Sequence, residues 1–285
     1  MSDIKTVGVA GAGTMGRGIA ETFAVKGFNV LLADQDLKTA GEGLKNIDKS
    51  LERALAKGKT TAEEKAATLA RVKPVESLRE FAACDFVVEA VFEDFGVKSA
   101  AFRTFDSVCR DEVILATNTS SLPITRIAAV TRRADRVIGM HFMNPVPVMK
   151  LVEIISGHKT SAATLATTLG LAEKLGKTPV AVQDYPGFVA NRVLMPMINE
   201  AIFALWEGVG TVEAIDTVMK LGTNQPMGPL ELADFIGLDV CLAIMNVLHE
   251  GYGDSKYRPC PLLRKMVDAG ELGRKSGKGF HSYAK

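Results

Sequence analysis

The sequence predicts an α/β fold, a doubly wound sheet carrying a helical-hairpin insertion, followed by an all-α C-terminal domain. Three observations carry that prediction. Short β-branched runs alternate with helical patterns as far as Val182, a glycine turn separates the first strand from the first helix, and strand patterns stop at Asp184-Tyr185-Pro186-Gly187-Phe188. The boundary is therefore expected at 185/186, giving an N-terminal domain over 1–185 and a helical domain over 186–285.

A chain of 285 residues can bury a large core and divide in two. Its 34 basic and 33 acidic residues nearly cancel, which gives no sign of a nucleic-acid or anionic-membrane partner. No apolar run reaches the length needed to span a bilayer. Met1-Ser2-Asp3 leads straight into strand-like Ile4 to Ala10, so no targeting peptide is expected. Cys84, Cys109, Cys241 and Cys260 are scattered without the paired spacing of a zinc or redox site, and reduced thiols in a cytoplasmic protein are expected.

In chain order, Thr6 to Ala10 reads as the first strand and runs at once into Gly11-Ala12-Gly13-Thr14-Met15-Gly16, with a helix from about Arg17 to Lys26. Strand, glycine turn and helix in that order form a Rossmann-type dinucleotide unit. Gly11 permits the tight turn, Gly13 admits a pyrophosphate to the backbone, and Gly16 lets helix and strand pack closely. The second strand, Asn29 to Ala33, ends in Asp34, eighteen residues after Gly16, where a carboxylate accepts the adenosine ribose hydroxyls and repels a 2′-phosphate. No arginine follows Asp34, so NAD is favoured over NADP.

From Leu37 to about Arg71 the composition turns to Ala, Lys, Glu and Leu, broken at Lys57-Gly58-Lys59-Thr60, which predicts a helical hairpin over 37–71. Lys49, Arg53 and Lys57 recur every four residues and so share a helix face; such a row is usually solvated, but beside an active site it could bind phosphates. Asp85 to Val91 reads as a buried strand leading to Glu93 and a helix bearing Lys98, and Val113 to Thr117 as another leading to Asn118-Thr119-Ser120-Ser121. Thr160 to Leu175 reads as a helix and Thr178 to Val182 as the last strand. Beyond the boundary lie helices over Asn191 to Glu207, Thr211 to Lys220, Leu230 to Leu248 and Pro261 to Ala269. Apolar helices of this kind suit a dimer interface or a monomer core equally.

His141 follows the strand-like Val137 to Met140, and Glu153 lies in Leu151 to Ile155, twelve positions on. Pro145 and Pro147 forbid a helix between them and favour a compact turn. Such a turn can bring the strands together, so that Glu153 holds one ring nitrogen of His141 and the other is left to move a proton. A hydrogen-bonded core histidine would look the same on this segment alone. Gly11 to Gly16, Asp34, Glu93, Asn118 to Ser121 and His141 all fall at strand ends, where open α/β sheets bind ligands. No cluster has metal-ligand spacing, so no metal is expected.

The glycine turn, Asn118-Thr119-Ser120-Ser121-Leu122, His141 through Glu153, Pro186 to Arg192, Met227-Gly228-Pro229 and the Gly273-Arg274-Lys275 tail together resemble the 3-hydroxyacyl-CoA dehydrogenase family. The likeness is greatest to its short bacterial members acting on 3-hydroxybutyryl-CoA, and it spans essentially the whole chain. It implies NAD-dependent, reversible oxidation of an (S)-3-hydroxyacyl-CoA thioester by a homodimer. It further implies that His141 is the base, that Glu153 orients it, and that Ser120 and Asn191 hold the substrate oxygen. NAD would be met by the glycine turn with Thr14 and Met15, and by Asp34, Glu93, Lys98, Asn118 and Asn144. Coenzyme A would be met on the hairpin at Ser50 and Lys57, with Arg53 between them on the basic row. Tyr185, where many relatives have a small residue, and His281, where many have an aromatic one, depart from the family pattern. A dehydrogenase of a free hydroxyacid, or a nucleotide-binding structural protein of the same fold, remain as alternatives; an intact Ser120, His141, Glu153 and Asn191 set speaks against the second.

Overall fold

A computed structural model describes residues 4–283. The chain divides between Asp184 and Tyr185, one residue earlier than the sequence pattern suggests, so Tyr185 opens the helical unit.

In the N-terminal unit, eight strands form one sheet in the order β3-β2-β1-β4-β5-β6-β7-β8. They are β1 (Thr6–Ala10), β2 (Asn29–Ala33), β3 (Val72–Val75), β4 (Phe86–Glu89), β5 (Ile114–Thr117), β6 (Val137–Phe142), β7 (Leu151–Ser156) and β8 (Thr178–Gln183). Neighbours pair in parallel throughout, except β6 and β7, which pair antiparallel. Every residue of β4, β5 and β6 is buried, as expected of central strands covered on both faces. The helices that cover them are α1 (Thr14–Val25), α2 (Leu37–Ala56), α3 (Ala62–Ala70), α4 (Phe95–Val108), α5 (Ile124–Ala128) and α6 (Ala162–Lys174). Their core runs from Val7, Val9 and Phe23 through Phe86 and Val88 to Met140 and Ile154.

Local signals set the helix starts. Asp36 accepts the Thr39 N–H at 2.7 Å to cap α2, Thr61 and Glu64 form a reciprocal capping box on α3, and Asp94 accepts the Val97 N–H at 2.9 Å on α4. Strand β3, absent from the sequence reading, contains Pro74. An edge strand tolerates a residue without an N–H, and β3 is an edge of this sheet.

The second unit holds α7 (Ala190–Trp206), α8 (Val212–Gly222), α9 (Pro229–Ile236), α10 (Leu238–Tyr252) and α11 (Pro261–Asp268) around Ile198, Ile202, Leu230, Met245 and Leu263. The expected single helix from Leu230 to Leu248 is instead two helices bent by 98°. Gly237 makes the corner at φ 104° and ψ 126°, a conformation that side-chain-bearing residues rarely adopt. Two buried aspartates close this unit. Asp216 accepts the N–H groups of Leu230 at 2.8 Å and Glu231 at 3.0 Å. Asp234 accepts those of Phe280 at 2.9 Å and His281 at 2.8 Å. His281 Nε2 stands 2.7 Å from Asp216, so the residue that departs from the family pattern serves the C-terminal tail. Among the described residues no single helix is long and apolar enough to cross a membrane. All four cysteines are buried and unpaired.

Gly237→Ala is expected to destabilise the helical unit by about 1–3 kcal/mol. Trp206, the single tryptophan, reports that unit in a urea melt. An unchanged midpoint would mean that the corner does not depend on glycine.

Candidate active site

Parallel order brings the carboxyl ends of β1, β2, β4, β5 and β6 to one edge, and Gly11 to Gly16, Asp34, Glu93, Asn118 to Ser121 and His141 gather there, while Ser50, Arg53 and Lys57 lie on or just past α2. At the first turn of that edge Gly11 has φ 98°, and a Cβ on it would come within 2.3 Å of the Ala90 carbonyl oxygen; a Cβ on Gly16 would come within 1.8 Å of the Gly11 carbonyl oxygen. Any other residue at either position would break the turn or part it from the next strand. Gly13, by contrast, has nothing within 4 Å of a built Cβ. It is also the N-cap of α1, which has no side-chain cap, so the first N–H donors of the helix remain available to an anion. A cavity of about 670 Å³ opens here, lined by Gly11, Gly13, Met15 and Asp34 on one side and by Val97 and Thr104 of α4 on the other. Glycine backbone, uncapped helix N-terminus, carboxylate and apolar wall fit the pyrophosphate, ribose and adenine of NAD. Asp34 does more than the sequence suggested. Its carboxylate accepts the Ala12 N–H at 2.5 Å and the Gln35 N–H at 2.7 Å, so it also ties down the glycine turn.

The antiparallel pairing of β6 and β7 places His141 directly opposite Glu153. The strand continues through Phe142, so His141 lies within it rather than just beyond it. Its Nδ1 is 2.8 Å from Glu153 Oε2, and its Nε2 is 3.1 Å from Ser120 Oγ. Both partners are buried, His141 at 6% exposure and Glu153 at 2%. A carboxylate at Nδ1 holds the ring hydrogen there and turns the lone pair of Nε2 toward the serine. The turn between the strands contains a cis Asn144–Pro145 bond and is tethered by Lys177, whose ammonium donates to the carbonyls of Val146 and of Met149, the latter at 2.8 Å. Burial and the nearby Lys26 hold the Lys177 ammonium below its ordinary range.

The serine loop after β5 is stitched to its surroundings. Asn118 accepts the Phe142 N–H at 2.9 Å, which joins the loop to β6. Glu93 accepts the N–H groups of Ser120 at 2.9 Å and Ser121 at 3.2 Å, and the hydroxyls of Thr119 and Ser121. Lys98, expected at the cofactor, is 1% exposed and lies beneath the loop. Its ammonium is 2.7 Å from Glu89 and 3.1 Å from Glu93. Burial pushes the Glu93 carboxyl up, but the Lys98 charge and the loop's donors outweigh it and leave Glu93 below the usual carboxylate range.

A second cavity of about 220 Å³ lies between α1, α2 and the proline turn, lined by Arg17, Glu21, Lys49, Ser50, Arg53 and Asn144 among others. Ser50 donates to Glu21 at 3.1 Å. Burial raises the Glu21 carboxyl, opposed by Ser50, Arg53 and Arg17. Lys57 is the C-cap of α2 and does not line this cavity, so the basic row divides, with Lys49 and Arg53 on the cavity and Lys57 past the helix end.

In the helical unit, Asn191 is buried in the first turn of α7, after a tight segment with Gly187 at φ 77° and Phe188 at φ 49°. Beside it, Arg192 stacks on Tyr252, 3.9 Å from the ring centroid, and Tyr252 donates to the Pro186 carbonyl at 3.2 Å. The exposed Tyr185 opens the same segment. Sequence reasoning passed over Glu89, Thr117, Thr119, Glu21 and Lys177. Glu89 and Glu21 left a usable signal, a charge within an otherwise apolar run.

Comparison with known proteins identifies the family. Residues 6–185 match the family described as 3-hydroxyacyl-CoA dehydrogenase, NAD binding domain, and residues 187–283 match its C-terminal domain. The chain is 59% identical over 281 residues to the "Probable 3-hydroxybutyryl-CoA dehydrogenase" of Bacillus subtilis, covering 99% of this chain and 98% of that one. It is 53% identical over 280 residues to the 3-hydroxybutyryl-CoA dehydrogenase of Bradyrhizobium diazoefficiens, covering 98% and 96%. The crystal structure of (S)-3-hydroxybutyryl-CoA dehydrogenase from Ralstonia eutropha superposes with a TM-score of 0.97 at 50% identity, covering 99% of this chain and all of that one.

The depressed Glu93 carboxyl fixes the sign of a pH effect. Its contribution to stability is complete above the unfolded-chain value of about 4.3 and is lost as pH falls through the lower folded value. The stability gap between wild type and Glu93→Gln, measured by urea unfolding, is expected to be widest at neutral pH and to close below about pH 4. A gap that stays constant with pH would mean that the Glu93 charge does not hold the loop.

Proposed function

The chain belongs to the 3-hydroxyacyl-CoA dehydrogenase family, and we propose that it interconverts (S)-3-hydroxybutyryl-CoA and acetoacetyl-CoA with His141 as the proton carrier. It is an NAD-dependent oxidoreductase of 3-hydroxyacyl-CoA thioesters; the short acyl chain and the residue roles are our reading. One observation carries the roles, the line from Ser120 Oγ through His141 to Glu153 with steps of 3.1 and 2.8 Å.

In the oxidising direction His141 Nε2 takes the proton from the 3-hydroxyl as C3 loses hydride. Bound NAD supplies the hydride acceptor. Glu153 keeps the ring hydrogen on Nδ1 and stabilises the imidazolium that forms. Ser120, with Asn191 assigned by family likeness, orients the reacting oxygen and opposes charge building on it. In reduction the imidazolium returns the proton. The smaller cavity supports coenzyme A as the handle, since Arg17, Lys49 and Arg53 offer cations to its phosphates and Ser50 a hydroxyl. Lys57 stays with this set only as a contact beyond the cavity.

Loss of NADH absorbance with acetoacetyl-CoA, run beside parallel assays with NADPH in place of NADH and with free acetoacetate in place of the thioester, tests the reading. Rapid loss is expected with the thioester and NADH, and little with the free acid. His141→Ala should lower turnover by about two to four decades with NADH affinity retained. Near-normal turnover in that variant would remove His141 from the reaction.

We also read the protein as a cytoplasmic homodimer. Four unpaired thiols support the compartment, and exposed Val193, Val209, Val218, Leu221 and Phe235 on the helical unit support the dimer. Light scattering is expected to give twice the chain mass, and Leu221→Glu to lower it. A monomeric wild type would overturn this part of the reading.

A further inference from the structure

Glu89 closes β4 with no exposure at all, and the proton-transfer line does not use it. Its Oε1 accepts the Val91 N–H at 2.7 Å and the Lys98 ammonium at 2.7 Å, and its Oε2 accepts the Thr117 hydroxyl at 2.6 Å. A buried lysine and glutamate that merely satisfy one another would need nothing further. The Val91 contact is local, but three routes leading on from Glu89 end at the same four residues, Asn118 to Ser121. Thr117 Oγ1 accepts the Thr119 N–H at 3.2 Å. Lys98 passes to Glu93 at 3.1 Å, and Glu93 takes the N–H groups of Ser120 and Ser121. The Glu89 main-chain carbonyl accepts the Asn118 N–H at 2.7 Å. The loop held from these three directions carries Ser120 Oγ, 3.1 Å from His141 Nε2.

We propose that Glu89 is the positioning residue of the serine loop. Through Thr117 on one arm and Lys98 with Glu93 on the other, it fixes where Ser120 meets the reacting oxygen. Lys98 thereby acts on the serine loop through Glu93. The proposal rests on the reading of Ser120 and His141 as the reacting pair. It concerns placement only, since Glu89 exchanges no proton with substrate.

Glu89→Gln keeps the side-chain shape and removes the charge that holds Lys98. Turnover of acetoacetyl-CoA is expected to fall by about tenfold or more, while the NADH dissociation constant stays within about threefold. Amide hydrogen exchange at Ser120 and Ser121, measured without substrate, should speed up by about tenfold while the β1 amides stay protected. In a Ser120→Ala background, Glu89→Gln should change turnover by less than about twofold, because the residue through which it acts is gone. A full further loss in that background would overturn the proposal, and so would unchanged exchange in the loop. Should Glu89→Gln not fold, Thr117→Val cuts one arm alone. It must raise exchange at Thr119 and Ser120, and unchanged exchange there would count against Glu89. Because the exchange measurement needs no substrate, it remains decisive even if the wild type ignores acetoacetyl-CoA, a result that would sink the substrate reading instead.

Discussion

Burying a carboxylate costs several kcal/mol unless a partner of matching chemistry waits for it. At Glu153 the partner is His141, and the cross-strand register of β6 and β7 delivers it. A slip of β7 by one residue would turn Glu153 to the opposite face of the sheet, away from His141, and break the pair. Much of the surrounding structure guards against that slip. Lys177 pins the carbonyls of the turn, Asn118 binds the Phe142 amide, and Val146 packs over Gly18 with no room for a Cβ between them. The His141–Glu153 contact thus depends on strand alignment, and the alignment depends on residues outside that pair.

A similar economy operates at the glycine turn. Asp34, the carboxylate we assign to the ribose, also holds the Ala12 amide, and Gly16 lies against the Gly11 carbonyl. The cofactor platform is therefore one packed object spanning the ends of β1, β2 and β4. The carboxylate proposed for the ribose cannot be separated from the integrity of that backbone.

Much of this was legible in the sequence wherever the signal was local. The glycine turn, the charge closing β2, the alternation of strands and helices and the breaks around the hairpin all sit within a few residues of what they specify. The proline turn between His141 and Glu153 suggested their meeting, because two strands so close in sequence have few ways to pair. What stayed hidden needed knowledge of distant neighbours. Lys98 reads as an ordinary helix lysine until α4 is packed on β4, and Glu89, although its charge stands out in an apolar run, has no visible partner until the strand order sets Thr117 beside it. Strand β3 is masked by Pro74, whose presence is tolerable only because nothing pairs beyond it. The corner at Gly237 is masked by apolar residues on both sides that keep a helical spacing across the break.

The four cysteines take no part in any of this, and their burial has a practical side. Desolvation pushes the thiols of Cys84 and Cys241 up to about 12 and that of Cys109 up to about 11, and it raises Cys260 as well. At neutral pH such thiols stay protonated and sterically shielded, so they offer little to an alkylating reagent. The native chain is in effect a silent background for thiol chemistry. A single new surface cysteine would stand out against it, and a fluorophore or spin label could be placed at one chosen point without first stripping the protein of its own sulfur.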